Sequence, residues 1–257
     1  MKKLILLWAA LLIIQSLQAA TSFDVNLQDA RIDEQDQQSR QRGMKTFVNY
    51  CLGCHSAKYQ RYERAAEDLG IPKDLVLEHL IFSDQKVGEQ MTNTMQPDQA
   101  AKWFGAIPPD LTNAVNLRGA DWIYSYLLGF YVDNSRPYGV NNAVFQNVGM
   151  PNVMSELQGI QEQVCETVPS NDKQNDPEVD SLINSKVRCK LQIQPDTGTM
   201  SPAEFEHTVR DLTNFMDYIS NPNTETSRRI GVYTIIFLLL LTTLFYFLYK
   251  EYWRDVK

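Results

Sequence analysis

The sequence predicts a mainly α-helical exported domain with long ordered loops, held by one C-terminal transmembrane helix. Three observations carry this: a basic-then-apolar N-terminus, an uncharged apolar run near the C-terminus, and helical spacings broken by Pro- and Gly-rich stretches between them. The 257 residues, 44% hydrophobic and 21% charged, suit one domain of ordinary size plus these two appendages.

Lys2 and Lys3 precede the apolar stretch Leu4 to Leu17, which exits through the small pair Ala19-Ala20. That order reads as a secretory signal peptide over residues 1–20, although no clean A-x-A fixes the scissile bond. The second run, Ile230 to Tyr249, holds no charge over 20 residues and can cross a hydrocarbon core of about 30 Å. Arg228 and Arg229 stand before it, and Lys250, Arg254 and Lys257 follow. Tyr233, Tyr246, Tyr249, Tyr252 and Trp253 crowd its ends as interfacial aromatics do. A signal peptide then sets the topology. Residues 21–220 form a periplasmic domain, 221–229 a linker, 230–249 the single membrane anchor and 250–257 a cytoplasmic tail.

Within the domain, Met44, Phe47, Val48 and Cys51 recur at i, i+3, i+4, i+7, so a helix runs into Cys51. Pro72 to Phe82 reads as a second helix, with its proline in the first turn. The stretch MQPDQAAKWFGAIPPDLT reads as a loop, and GADWIYSYLLGFY as a third helix. Residues 132–200 are expected to be irregular, with hardly any sheet. Ser201-Pro202-Ala203-Glu204 is a capping box that opens the last soluble helix. Phe205, Val209, Leu212, Met216 and Ile219 form its apolar stripe, and Asn221-Pro222 ends it. Cys165 and Cys189 bracket a polar insertion. In an oxidising compartment they are expected to pair, contributing about 3 kcal/mol by loop closure.

The segment "NYCLGCHSAKY" gathers two of the four cysteines and one of the three histidines. Cys51 and Cys54 project from one side of a turn, with His55 directly after them. C-x-x-C-H is the attachment pattern for a c-type haem, with two thioethers and an imidazole beneath the iron. A zinc site wants a second close pair of ligands, and the other cysteines are 24 apart. A dithiol oxidoreductase wants a strand–helix thioredoxin pattern that is absent. The sixth ligand is less determined. His79 sits within a helix and His207 among charges. Met44 lies in the attachment helix, Met91 and Met95 precede the Pro-rich loop, Met154 and Met200 flank turns, and Met216 belongs to a stripe. Met150, between Gly149 and Pro151 in irregular backbone, stands out, though most methionines are core filler.

Taken together, GMKTFVNYCLGCHS, GAIPPDLTNAVNLRGADWIYS, RPYGVNNAVFQNVGMPNVM, GTMSPAEFEHTVRDLTNFMDYIS and a single C-terminal span resemble the cytochrome c1 family. That family supplies the c-type haem subunit of the quinol–cytochrome c reductase (cytochrome bc1) complex. The resemblance covers nearly the whole chain downstream of the signal and implies a mainly α, cytochrome c-like haem domain with long loops. It implies one covalent haem c, with Cys51 and Cys54 as attachment cysteines, His55 as proximal ligand and Met150 as distal ligand. Pro108 and Pro109 match a pair packed by the haem, and Arg118 an arginine near its propionates, where a guanidinium fork suits carboxylates. Asn116 departs from the pattern, since many relatives carry a basic residue there. The Cys165–Cys189 insertion matches nothing in the general pattern.

The resemblance further implies a non-catalytic, one-electron relay in a respiratory oxidoreductase complex at the inner (plasma) membrane. Its partners would be a cytochrome b subunit, a Rieske iron–sulfur protein as donor, and a soluble or membrane-held cytochrome c as acceptor. No nucleic-acid partner is expected of a chain with formal net charge −7. The acidic stretch from Ser155 to Glu206 either steers a basic cytochrome or is a merely solvated surface. Two other classes stay open: a haem subunit of another respiratory complex, and a periplasmic haem enzyme with an exchangeable sixth ligand.

Overall fold

A computed structural model describes residues 27–169 and 185–256. The expected signal peptide and the middle of the polar insertion lie outside the described residues. About half of the fold is helical. Two compact units are built from discontinuous segments. The first takes the described residues up to Arg31, Pro97–Ile107 and Asp121–Arg210; the second takes Ile32–Gln96, Pro108–Ala120 and the chain from Asp211 onward.

In the second unit, α1 (Gln37–Tyr50) starts at Asp36, whose carboxylate accepts from the Ser39 N–H at 2.9 Å. Met44, Phe47 and Val48 are buried, as their spacing predicts. β1 (Ala57–Arg61) follows and pairs antiparallel with β2 (Gln90–Met91), with α2 (Tyr62–Asp68) and α3 (Lys73–His79) between them. Pro72 is the N-cap of α3 rather than its first-turn residue. The second unit also holds α5 (Ala114–Arg118) and the end of α8 (Pro202–Ser220). Phe47 meets Phe215 with ring centroids 5.5 Å apart, and Arg42 forks onto Asp211 at 2.6 and 3.0 Å.

The first unit holds α4 (Pro97–Phe104), α6 (Ala120–Leu128) from Asp121 on, and the short pair β3 (Phe130–Val132) and β4 (Val140–Asn142). α7 (Ser155–Gln158) and a long hairpin, β5 (Gln161–Pro169) with β6 (Ser185–Ile193), complete it. Three sequence expectations are corrected here. The stretch read as a Pro-rich loop contains α4, which opens at Pro97 with Asp98 in its first turn, a normal helix start. The region read as irregular contains an antiparallel ladder from Gln161↔Ile193 to Pro169↔Ser185. α6 also ends earlier than expected, and Phe130 and Tyr131 enter β3 after Gly129.

Cys165 and Cys189 face each other in that ladder and are disulfide-bonded. Replacing both with serine is expected to destabilise the hairpin locally by about 3 kcal/mol. Amide exchange should then accelerate across β5 and β6 and stay unchanged in α8.

The capping box of α8 is formed as the sequence predicts. The Ser201 N–H and hydroxyl both donate to the Glu204 carboxylate, at 2.9 and 2.7 Å, and the Glu204 N–H returns to the Ser201 oxygen. Phe205, Val209, Leu212, Met216 and Ile219 are all buried. The Ser201 hydroxyl, then its N–H, hold the Glu204 carboxyl below its ordinary 4.5. A depressed carboxyl stabilises the fold above the unfolded pKa, and that contribution fades as pH falls below about 4.5. Acid melts should show this loss, and Glu204→Gln should flatten it.

α9 (Thr224–Tyr252) begins within the stretch expected as a linker, so residues 224–229 are helical. Thr226–Tyr252, whose most apolar 18 residues have a mean hydropathy of 2.2, is long and apolar enough to cross a membrane. Ile235, Leu239, Phe245 and Leu248 are exposed along it, which a buried core helix would not allow.

Candidate functional site

In the second unit, α1 closes into a single tight turn. The Phe47 carbonyl accepts from the N–H groups of Cys51 and Leu52 at 2.9 and 3.0 Å, and the Cys51 carbonyl from those of Cys54 and His55 at 3.1 and 2.8 Å. This winding places both thiols and the imidazole within five consecutive residues. Cys51 is buried, Cys54 half-buried, and neither forms a disulfide. Burial, and secondarily Cys54, pushes the Cys51 thiol up to about 12.

His55 Nδ1 lies 2.8 Å from the Pro109 carbonyl oxygen. An imidazole that donates from Nδ1 to a carbonyl keeps Nε2 as its free lone pair, the arrangement in which histidine binds a metal. Burial lowers the His55 pKa below 6.5, against the opposing pull of the Pro109 carbonyl and Asp110. The ring is therefore neutral at pH 7. The segment carrying Pro109 is itself pinned. The Leu111 N–H donates to the Ser56 carbonyl at 2.8 Å, and the Lys58 and Thr112 N–H groups donate to the Asp110 carboxylate at 2.9 and 3.0 Å.

Arg118 is exposed in the last turn of α5. Asn116, on the same helix, donates to the Ser220 carbonyl at 3.1 Å and accepts from Asn221 at 2.8 Å. It ties α5 to the end of α8, a task a cation at that position would not perform in the same way. His79 and His207 are both exposed.

In the first unit, Met150 is half-buried, and its Sδ accepts from the Tyr126 hydroxyl at 3.4 Å. Tyr126 stacks on Trp122, centroids 5.0 Å apart and 9° from parallel, and meets Phe130 edge-on at 5.1 Å. The loop leading to Met150 is built on two asparagines. Asn142 Oδ1 accepts from the Val144 and Phe145 N–H groups at 2.9 and 3.1 Å, and Asn141 Oδ1 from Asn147 at 2.9 Å. The other methionines of this unit differ: Met154 is buried in the core, and Met200 accepts from Thr208 at 3.6 Å.

The chain matches the cytochrome C1 family over residues 28–256. It is 46% identical over 256 residues, 100% of both chains, to the cytochrome c1 of Allochromatium vinosum. The chain belongs to the cytochrome c1 family. It is also 40% identical over 233 residues, 91% of this chain and 90% of the other, to the ammonia monooxygenase gamma subunit of Nitrosomonas europaea. With the mitochondrial cytochrome c1 heme protein of Saccharomyces cerevisiae it shares 23% over 248 residues, 86% and 68% of the two chains.

Around the residues its motifs mark, this cytochrome c1 family member places groups that sequence reasoning did not find. Asp110 clamps the Pro109 segment, Asn141 and Asn142 shape the Met150 loop, and Tyr126 donates to the Met150 sulfur. For Pro109 the matching motif was legible, but not that its carbonyl meets His55 Nδ1. Asn141-Asn142, an adjacent pair of strong local acceptors just before a glycine-containing loop, was the one available signal for the loop.

Proposed function

We propose that the chain is the haem-bearing electron-transfer subunit of a quinol–cytochrome c reductase complex. It would carry one covalent haem c and relay single electrons from a Rieske iron–sulfur protein to a cytochrome c. The observation that carries this reading is His55, neutral, with Nδ1 committed to the Pro109 carbonyl, beside the free thiols of Cys51 and Cys54. Two uncommitted thiols three residues apart and a metal-ready imidazole are the donor set a c-type haem requires. The haem supplies the one-electron couple. When bound, it would be held by thioethers from Cys51 and Cys54, with His55 and Met150 as the residues that would ligate its iron and Pro108 and Pro109 beside it.

The chain's own residues then do three things. Pro109 and Asp110 keep the imidazole in one tautomer and orientation, which fixes its basicity. Met150, a soft thioether, would favour the reduced metal and so raise the potential. Arg118 would pair with a propionate and offset the cost of a carboxylate at the cofactor's edge. Ligation by both His55 and Met150 would leave the iron no exchangeable position, so this reading assigns quinol chemistry to the cytochrome b partner. The signal peptide and the apolar C-terminal helix support a single-pass placement in the inner membrane, haem domain in the periplasm.

The test uses the complex purified through the membrane anchor. Added quinol should reduce the haem, and cytochrome c should reoxidise it, with cytochrome b and Rieske subunits co-purifying. The reduced subunit should resist carbon monoxide. Rapid carbon monoxide binding would instead favour a haem enzyme with an exchangeable sixth ligand.

A further inference from the structure

The sulfur of Met150 has a proton donor. We infer that Tyr126 is a positioning residue for electron transfer: its hydroxyl holds the Met150 thioether in one orientation and lowers the electron density the sulfur gives to iron. This rests on the reading of Met150 as an axial ligand.

The geometry is that of a built contact. The Tyr126 hydroxyl sits 3.4 Å from Met150 Sδ. Its ring is clamped by Trp122 on one face and by Phe130 at the edge, so the hydroxyl cannot swing to another partner without breaking both contacts. One fully buried side chain fixes both ends of this pair. Asn142 donates to the Tyr126 carbonyl at 2.7 Å and accepts from the Val144 and Phe145 N–H groups at the start of the loop to Met150.

A thioether sulfur is a weak acceptor with two lone pairs. One takes the phenol proton and the other stays available to a metal. A donor on the first draws density away from the second, and the oxidised metal, which relies more on that density, loses more. The Tyr126 hydroxyl therefore favours the reduced state.

The test uses the full-length, haem-loaded protein. Tyr126→Phe keeps both ring contacts and removes only the hydroxyl. It should retain the far-red thioether-to-ferric-iron band while shifting the reduced-to-oxidised ratio about fivefold toward oxidised. At 59 mV per tenfold for one electron, that is a fall of about 40 mV. Placing 3-fluorotyrosine at 126, a stronger donor of nearly the same size, should shift the ratio the other way. It also decides the matter should the phenylalanine variant fail to load haem. Unchanged potentials with the band intact would overturn the role of Tyr126. If Met150→Leu also leaves the band in place, the ligand reading itself has failed. If the band depends on Met150 but ignores the change at 126, only this inference has failed.

Discussion

Met150→Leu is expected to keep the fold and lose the relay. Leucine approximates methionine in volume, so packing in the first unit costs under about 1.5 kcal/mol. The thioether, however, is gone. The far-red band should vanish, the reduced protein should bind carbon monoxide, and the potential should fall. Axial ligands span about 0.8 V in haem proteins, so a drop on the order of 0.1 V is a modest share of that range. On the proposed relay even that would stall delivery from a Rieske donor, and quinol-supported reduction of cytochrome c should fall at least about tenfold. Redox titration beside a carbon monoxide difference spectrum checks all three effects. A variant whose spectrum matches the parent would mean that another side chain ligates the metal.

Gly43→Ala should be the most damaging small change to the fold. In an exposed helix interior this substitution stabilises by roughly 0.5–1 kcal/mol, because glycine has more freedom to lose. Here the sign reverses. A Cβ on Gly43 would lie 2.0 Å from the Asp211 carbonyl oxygen and 2.7 Å from Phe215 Cβ. Backbone cannot yield as a flexible side chain can, so α1 must move away from the second-unit end of α8. That strains the Arg42–Asp211 fork and the Phe47–Phe215 contact together. The expected cost is about 3 kcal/mol or more, at the severe end of overpacking. Because α1 ends at Cys51, haem attachment should suffer as well. A thermal melt of the full-length protein followed by haem absorbance checks this. Gly88→Ala is the control, since its Cβ would meet only Glu63 Oε2 at 3.8 Å. Equal melts for the two variants would mean the close approach at Gly43 is not limiting.

What could be read in advance follows from which physics is local. The start of α8 was legible because a capping box is a short-range exchange between Ser201 and Glu204. α9 was legible because lipid solvation demands composition alone. Cys51, Cys54 and His55 were legible because one turn of backbone brings them together whatever surrounds it. The β5–β6 ladder was missed because Glu162, Glu166, Lys186 and Lys190 make its strands polar, so no apolar alternation announced them. Its cysteine pair was the remaining signal, and it was read as closing a loop rather than a hairpin. α4 was missed because the prolines around it outweighed a correct helix start at Pro97-Asp98. The Pro109 carbonyl and the Asn142 side chain act across 54 and 16 residues, distances at which sequence spacing says nothing.

The central proposal is that this chain would hold its haem covalently, through Cys51 and Cys54, beside an imidazole oriented by Pro109. Extraction of the purified protein with acidified acetone tests it most directly. The account predicts that the haem absorbance stays with the precipitated polypeptide, and passes into the solvent only when both cysteines are replaced. Release of the porphyrin from the unmodified protein would contradict it.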